Sequence, residues 1–262
     1  MLSEKRINFI FSIVALVLMW GVWVLAHIAV KNEYIIPSFQ DVVINIGENL
    51  SSLQFWNAFA RTLGRTLYAW GVAFLCAVGL VSIGIFSAKF RRLLAPFISV
   101  LRTLPTMAIT LMLLIWTNPR IAPVYVTFLM LFPLMYSQLL TAYGEIDPSL
   151  VQMITVYKVR RRDRLLKVYI PLMMPAVLSQ MGANLSLSLK VMISAEVLAG
   201  TFRSIGGMMY DAAMYSRMDQ MFSVTIMMLV TGGVLEYIFG RLTFLTARWR
   251  GKNSKKRRRA ND

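Results

Sequence analysis

The chain has 262 residues, of which 57% are hydrophobic and only 15% charged, and it carries a formal charge of +16. That composition excludes an ordinary soluble domain and directs attention to uncharged runs of about 20 residues, the length a helix needs to cross the hydrocarbon of a bilayer. The first run, 8–30, carries no ionisable side chain except His27. Residues 38–64 are amphipathic, with Phe39, Val42, Val43 and Ile46 on one face, which predicts an interfacial helix on the external side. Further runs follow at 66–88, 103–119, 121–144 and 168–189, the last continuing to about 200 and so taking Lys190 and Glu196 into or near the bilayer. The sixth, 220–240, is interrupted only by Glu236. The expectation is an all-α membrane protein with six transmembrane helices, because only internally satisfied backbone survives in lipid.

Lysines and arginines near span ends are enriched on the cytoplasmic side. Threading six spans from an inside N-terminus gathers Lys5 and Arg6, Lys89 to Arg92, Lys158 to Lys167 and Arg248 to Arg259 on one side, so both termini are expected in the cytoplasm. The opposite loops mix both signs. The tail 248–262 is read as a basic, disordered cytoplasmic anchor rather than a nucleic-acid patch, because it follows a span and faces an anionic lipid surface. The first run is too long for a signal-peptide core of roughly 7–15 residues, although Ala26 to Ala29 faintly resembles a cleavage site.

Catalytic patterns are missing from the sequence. His27 and Cys76 are the sole residues of their kinds, which leaves no histidine cluster and no intrachain cysteine metal site. Neither a G-x-x-x-x-G-K-[ST] phosphate loop nor a G-x-S-x-G elbow occurs, so ATP hydrolysis, if coupled to this chain, belongs to another subunit.

The segment after the fourth span is the most informative. Asp147-Pro148 suits a helix start, since Asp caps free N–H groups and Pro is tolerated in the first turn. Leu150, Val151, Ile154 and Tyr157 recur at helical spacing, and KVRRRDR follows at once. An apolar face beside so many charges needs a lipid surface or another protein's groove. A loop that only fixes topology is the plainer alternative.

With these residues in view, the chain resembles the permease subunits of binding-protein-dependent ABC importers, in the branch serving nitrate, sulfonate, taurine and pyrimidine precursors. The resemblance covers roughly residues 36–250. It rests on IIPSFQDVVINI after the first span, LRTLPTMAITLMLLIW around the third, and SAEVLAG with SIGGMMYDAAMY at the end of the fifth. It implies a type I, methionine-importer-like bundle, with an N-terminal helix at 1–30 and a permease domain at 31–247 holding a coupling loop at 145–168. It also implies two ABC ATPase subunits using ATP and Mg, an external solute-binding protein, and a second permease copy, a homodimer being expected and a heterodimer left open. The family's cytoplasmic motif falls on Gln152-Met153-Ile154, Lys158, and Val168 to Pro171. Here Gln152 replaces an acidic residue, Met153 and Ile154 replace small ones, and Lys158 replaces the glycine that turns the loop; either the groove differs, the helix runs on through 158, or the chain pairs with a different permease. The resemblance makes Val151, Gln152, Met153, Ile154, Tyr157, Lys158 and Pro171 the ATPase-coupling residues.

The fifth span places Ser179, Ala183, Ser186, Lys190 and Ser194 on one small, polar face beside Gly182. Small residues on a membrane helix mean close packing or, alternatively, a lined path. Ser186, Lys190 and Ser194 are the candidate path residues, with Lys190 attracting an anionic cargo or else snorkelling or pairing with a carboxylate elsewhere. Glu196, about 120° around the helix from Lys190, is read as a structural charge. Pro105 and Pro133 are expected to kink their spans, and the 18 methionines are read as flexible filler rather than a copper path. An ATPase-independent carrier or a membrane scaffold is the alternative class, without a convincing internal repeat to support a carrier.

Overall fold

The computed structural model of the chain describes residues 4–157 and 159–258. All regular structure among them is helical: α1 (Glu4–Val30), α2 (Phe39–Ser51), α3 (Leu53–Phe86), α4 (Ala88–Thr103), α5 (Thr106–Trp116), α6 (Ala122–Gly144), α7 (Pro148–Val156), the single turn α8 (Arg161–Asp163), a π-helical turn (Arg164–Tyr169), α9 (Ile170–Leu198), α10 (Ile205–Met214) and α11 (Met218–Arg258). Five stretches are long and apolar enough to cross a membrane, and six if α4 and α5 form one bent crossing.

Serines set many of the boundaries. Ser38, Ser52, Ser87 and Ser204 each precede a helix, and each hydroxyl accepts from the backbone N–H three residues on. That geometry satisfies a donor the helix itself cannot. The cap at Ser52 divides the amphipathic stretch 38–64, so only α2 lies apart and α3 begins thirteen residues earlier than the uncharged run. Arg61 and Arg65, which precede the second uncharged run, are therefore part of the second span's helix.

The third run also departs from expectation. Leu104 is extended (φ −67°, ψ 128°) and Pro105 precedes α5, so α4 and α5 meet at 96°. Proline removes a helix donor and disfavours helical backbone before it. With eleven residues, α5 measures only about 16 Å, roughly half a bilayer core. Pro133 lies inside α6, where the Ser137 hydroxyl donates to its carbonyl at 2.8 Å. At the other end of the chain α11 continues through 248–258, residues assigned from sequence to a tail.

The bundle is centred on α3, α6 and α9. The buried stripe of α3 is made of small side chains, Ala58, Thr62, Thr66, Ala69, Ala73 and Ala77, at spacings of three and four. Such a stripe lets helix backbones approach closely where lipid supplies no hydrophobic drive. Leu131, Met135 and Leu139 of α6 and Met173 of α9 pack against it. Tyr169, at the start of α9, meets Phe86 and Tyr143, the ends of α3 and α6. Glu196, near the end of α9, reaches Thr62 and Arg65 near the start of α3. Hence α3 and α6 run alongside each other and α9 runs against both. Gly182 and Ser186 of α9 face Glu236 to Phe239 and Gly232 of α11, which returns antiparallel to α9.

By contrast α1 is peripheral. None of its apolar window is buried, and it is held by Trp23 Nε1–H to the Pro37 carbonyl (3.1 Å), His27 Nδ1 to the Ile36 carbonyl (2.9 Å) and the Trp23–Phe222 ring contact.

Candidate functional site

The loop between α6 and α9 is built around α7. The Asp147 carboxylate accepts from the Ser149 N–H at 2.8 Å, which caps the helix and holds the carboxyl below its usual range. From there α7 turns two side chains inward: Ile154 is buried, and Val151 packs partly buried on the α3–α6–α9 core. Leu150, Met153, Val156 and Tyr157 are open, Tyr157 to 76% of its surface. Gln152 is exposed as well, as is Pro171 in the first turn of α9. Lys158 lies outside the described residues. The helix stops at Val156 and helical backbone resumes at Arg161. Downstream, Lys167 pairs with Asp163 at 2.7 Å and Arg161 sits over the Phe86 ring.

On α9 the three candidate path residues share one cleft of about 170 Å³, which Met209, Thr225 and Gly232 also line. They differ in setting. Ser186 is buried, and a Cβ on Gly232 would stand 3.0 Å from its hydroxyl oxygen, so it lies at the close approach of α9 and α11. Lys190 and Ser194 are exposed, and Lys190 makes no ion pair among the described residues.

Glu196 is fully buried and is the centre of a junction between three helices. Its carboxylate accepts from the Thr62 hydroxyl (2.8 Å), an Arg65 Nη1–H (3.0 Å) and the Gly206 N–H (3.2 Å), joining α9 to α3 and α10. Thr62 Oγ1 in turn accepts from the Ile205 N–H at 3.0 Å. A buried carboxylate persists only when paired and hydrogen-bonded, and this one has both. The connection to α10 is equally constrained: the Thr201 N–H reaches the Glu196 carbonyl and Gly200 takes φ +56°, a helix ending that glycine meets without strain. A Cβ on Gly206 would lie 2.3 Å from Glu196 Cβ, and one on Gly207 2.2 Å from the Thr201 carbonyl oxygen.

Thr62, Arg65, Gly206 and Gly207 were not singled out from sequence. Arg65 lies 131 residues from its partner, a pairing that local spacing cannot reveal. The same holds for the reciprocal amide pair Gln138–Asn184, which ties α6 to α9 at 2.6 and 3.1 Å. Among the described residues no three His, Cys, Asp or Glu side chains gather as a metal site.

Comparison with known proteins gives a consistent picture. Residues 50–248 match the family model of the binding-protein-dependent transport system inner membrane component. The protein SsuC of Bacillus subtilis (strain 168), described provisionally as an aliphatic sulfonates transport permease, is 22% identical over 254 residues, covering 95% of this chain and 90% of that one. Among solved structures, an inward-facing MetNI methionine ABC transporter matches 74% of this chain and 99% of its own at a TM-score of 0.62 and 14% identity. A bacterial alginate ABC transporter in complex with alginate pentasaccharide-bound periplasmic protein matches 91% and 95% at 0.63 and 14%.

Proposed function

The chain belongs to the family of binding-protein-dependent transport system inner membrane components, and from that premise we propose that it is the membrane-spanning half of an ATP-driven importer for a small anionic solute of the sulfonate class. Two copies enclose the path, an external solute-binding protein delivers the cargo, and two ABC ATPase subunits, which bind the ATP and Mg, act from the cytoplasmic side where both termini lie. The nature of the solute rests on the sulfonate description of the Bacillus subtilis relative and on Lys190, an exposed cation within a candidate span.

One observation carries the coupling role. Helix α7 packs through Val151 on the same core that α3, α6 and α9 share and buries Ile154, while Leu150, Met153, Val156 and Tyr157 stand uncovered at the basic end of the bundle. A rigidly anchored helix with a free apolar face transmits a push from a groove on a partner to the spans behind it. Gln152 and Lys158 belong to this contact, and Pro171 fixes the first turn of α9.

The test is reconstitution of the chain with its ATPase and solute-binding protein in vesicles. Met153→Asp with Tyr157→Asp, both at exposed positions, is expected to leave the chain folded and to abolish uptake and the stimulation of ATP hydrolysis by the loaded binding protein. Wild-type uptake by this variant overturns the coupling role, and uptake by the chain alone without ATP favours the carrier reading.

A further inference from the structure

A basic concavity lies away from Lys190, in the half of the bundle that bears α7. A cleft of about 700 Å³ opens between α4 and the last turns of α6, and Arg91, Arg92 and Arg102 all line it. No acidic side chain lines it, and neither Arg91 nor Arg92 has an ion-pair partner among the described residues. Arg102 Nη1 makes one long bond to the Ser137 hydroxyl at 3.5 Å. The spacing places the three arginines, together with Ser99, within an arc of about 100° around α4, since at 3.6 residues per turn position 102 lies close to 91 and position 99 close to 92.

A second observation points to a ligand. Tyr136 of α6 is 97% buried (3% exposed), lines the same cleft, and its hydroxyl has no hydrogen-bond partner among the described residues. A buried hydroxyl left unpaired costs free energy and asks for an explanation. Three guanidinium groups in one concavity repel one another unless an anion joins them, and low-dielectric walls concentrate their field. The guanidinium fork matches a tetrahedral or trigonal oxyanion through two parallel N–H donors, and Ser99 adds an exposed hydroxyl on the same face.

We infer that this cleft is an oxyanion site, taking a sulfonate or phosphate group between Arg91, Arg92 and Arg102, with the unpaired Tyr136 hydroxyl in the wall behind them. Such a group belongs either to the free anionic cargo, held where it leaves the bundle, or to the headgroup of an anionic lipid. The first role rests on the importer reading, whereas binding itself does not.

The experiment uses the full chain in two arms. In a neutral maltoside detergent, titration calorimetry measures methanesulfonate binding; in nanodiscs of phosphatidylcholine with and without phosphatidylglycerol, native mass spectrometry counts retained anionic lipid. The paired variant Arg92→Gln, Arg102→Gln, at exposed positions, is expected to weaken one or both by about tenfold or more, since charge-assisted bidentate bonds are the strongest of their kind. Arg203→Gln, on the loop before α10, leaves binding unchanged. A loss confined to methanesulfonate assigns the site to cargo, and one confined to phosphatidylglycerol assigns it to lipid. The site is overturned if neither ligand separates the paired variant from wild type, or if Arg203→Gln is equally damaging. Binding that follows Arg92 and Arg102 in a chain unable to transport with its partners removes the importer role and keeps the site.

Discussion

At the scale of single residues, the junction around Glu196 has the sharpest consequences. Replacing Glu196 by Gln keeps an acceptor for Thr62 and Gly206 but strands the Arg65 guanidinium, whose side chain is 21% exposed. Removing one partner of a fully buried pair costs roughly 3–5 kcal/mol, so with water reaching Arg65 a loss of about 2 kcal/mol is expected, read as a lower unfolding temperature in detergent. Gly206→Ala is expected to be worse, since its Cβ would collide with Glu196 Cβ and with the Val197 backbone nitrogen 2.7 Å away. Backbone cannot move aside as a flexible side chain can. Gly64→Ala meets nothing within 4 Å and should fold as well as wild type. If both glycine variants unfold alike, the packing at this junction is not what limits stability. Glu196 was singled out in the sequence, by its charge near the end of an apolar span. Its partner was not, because an arginine close to a run of uncharged residues reads as loop until a carboxylate from another helix is found to neutralise it.

At the scale of elements, α7 shows what periodicity reveals and what it leaves out. Asp147-Pro148 announced the helix start, and the observed cap agrees. The apolar spacing of Leu150, Val151, Ile154 and Tyr157 read as one face, yet the structure covers Val151 and Ile154 and leaves the other two open. Spacing gives the angle between side chains around a helix but not which neighbour lies on each side. The third run was likewise legible as apolar, while its sharp break followed from Pro105 acting with the extended Leu104, a strength of bend that composition does not encode. Two predictions belong here. Ile154→Asp is expected to lower stability by about 3 kcal/mol or more through a buried unpaired charge, whereas Tyr157→Asp leaves the unfolding temperature unchanged, so comparing the two separates rooting from docking. The cap supplies a pH dependence of known sign. Because the Ser149 N–H lowers the folded-state pKa of Asp147 from the usual 3.8, its contribution is complete above that value and disappears as pH falls through the lowered one. Hydrogen exchange across 148–156 should therefore be flat from about pH 8 to 5 once corrected for intrinsic rates and accelerate only under strong acid, and Asp147→Asn should remove that acid step.

For the molecule as a whole, the arrangement of charge and the arrangement of helix ends can be tested against each other. The ends of α3 and α6 and the start of α9 come together at Tyr169, and this end carries Lys89, Arg91, Arg92 and the run from Arg160 to Lys167. The other end, where Glu196 joins α3 to α10, mixes Arg61, Arg120, Arg203 and Arg217 with Glu33, Asp41, Asp211 and Asp219. Positive loops stay on the cytoplasmic side because they resist translocation and are attracted to anionic lipid by roughly 1 kcal/mol per residue. Both lines of reasoning sort the loops alike, with α7 and the arginine cleft at one end and α2 and α10 at the other, and the proposed orientation puts the first end in the cytoplasm. Cys76 is the chain's only cysteine, so a Cys76→Ser background permits single reporters. In right-side-out cells, a membrane-impermeant maleimide is expected to label Asn32→Cys and to spare Lys89→Cys until the membrane is opened. The reverse pattern would place α7 outside, beyond reach of any ATPase, and would overturn the coupling role together with the orientation.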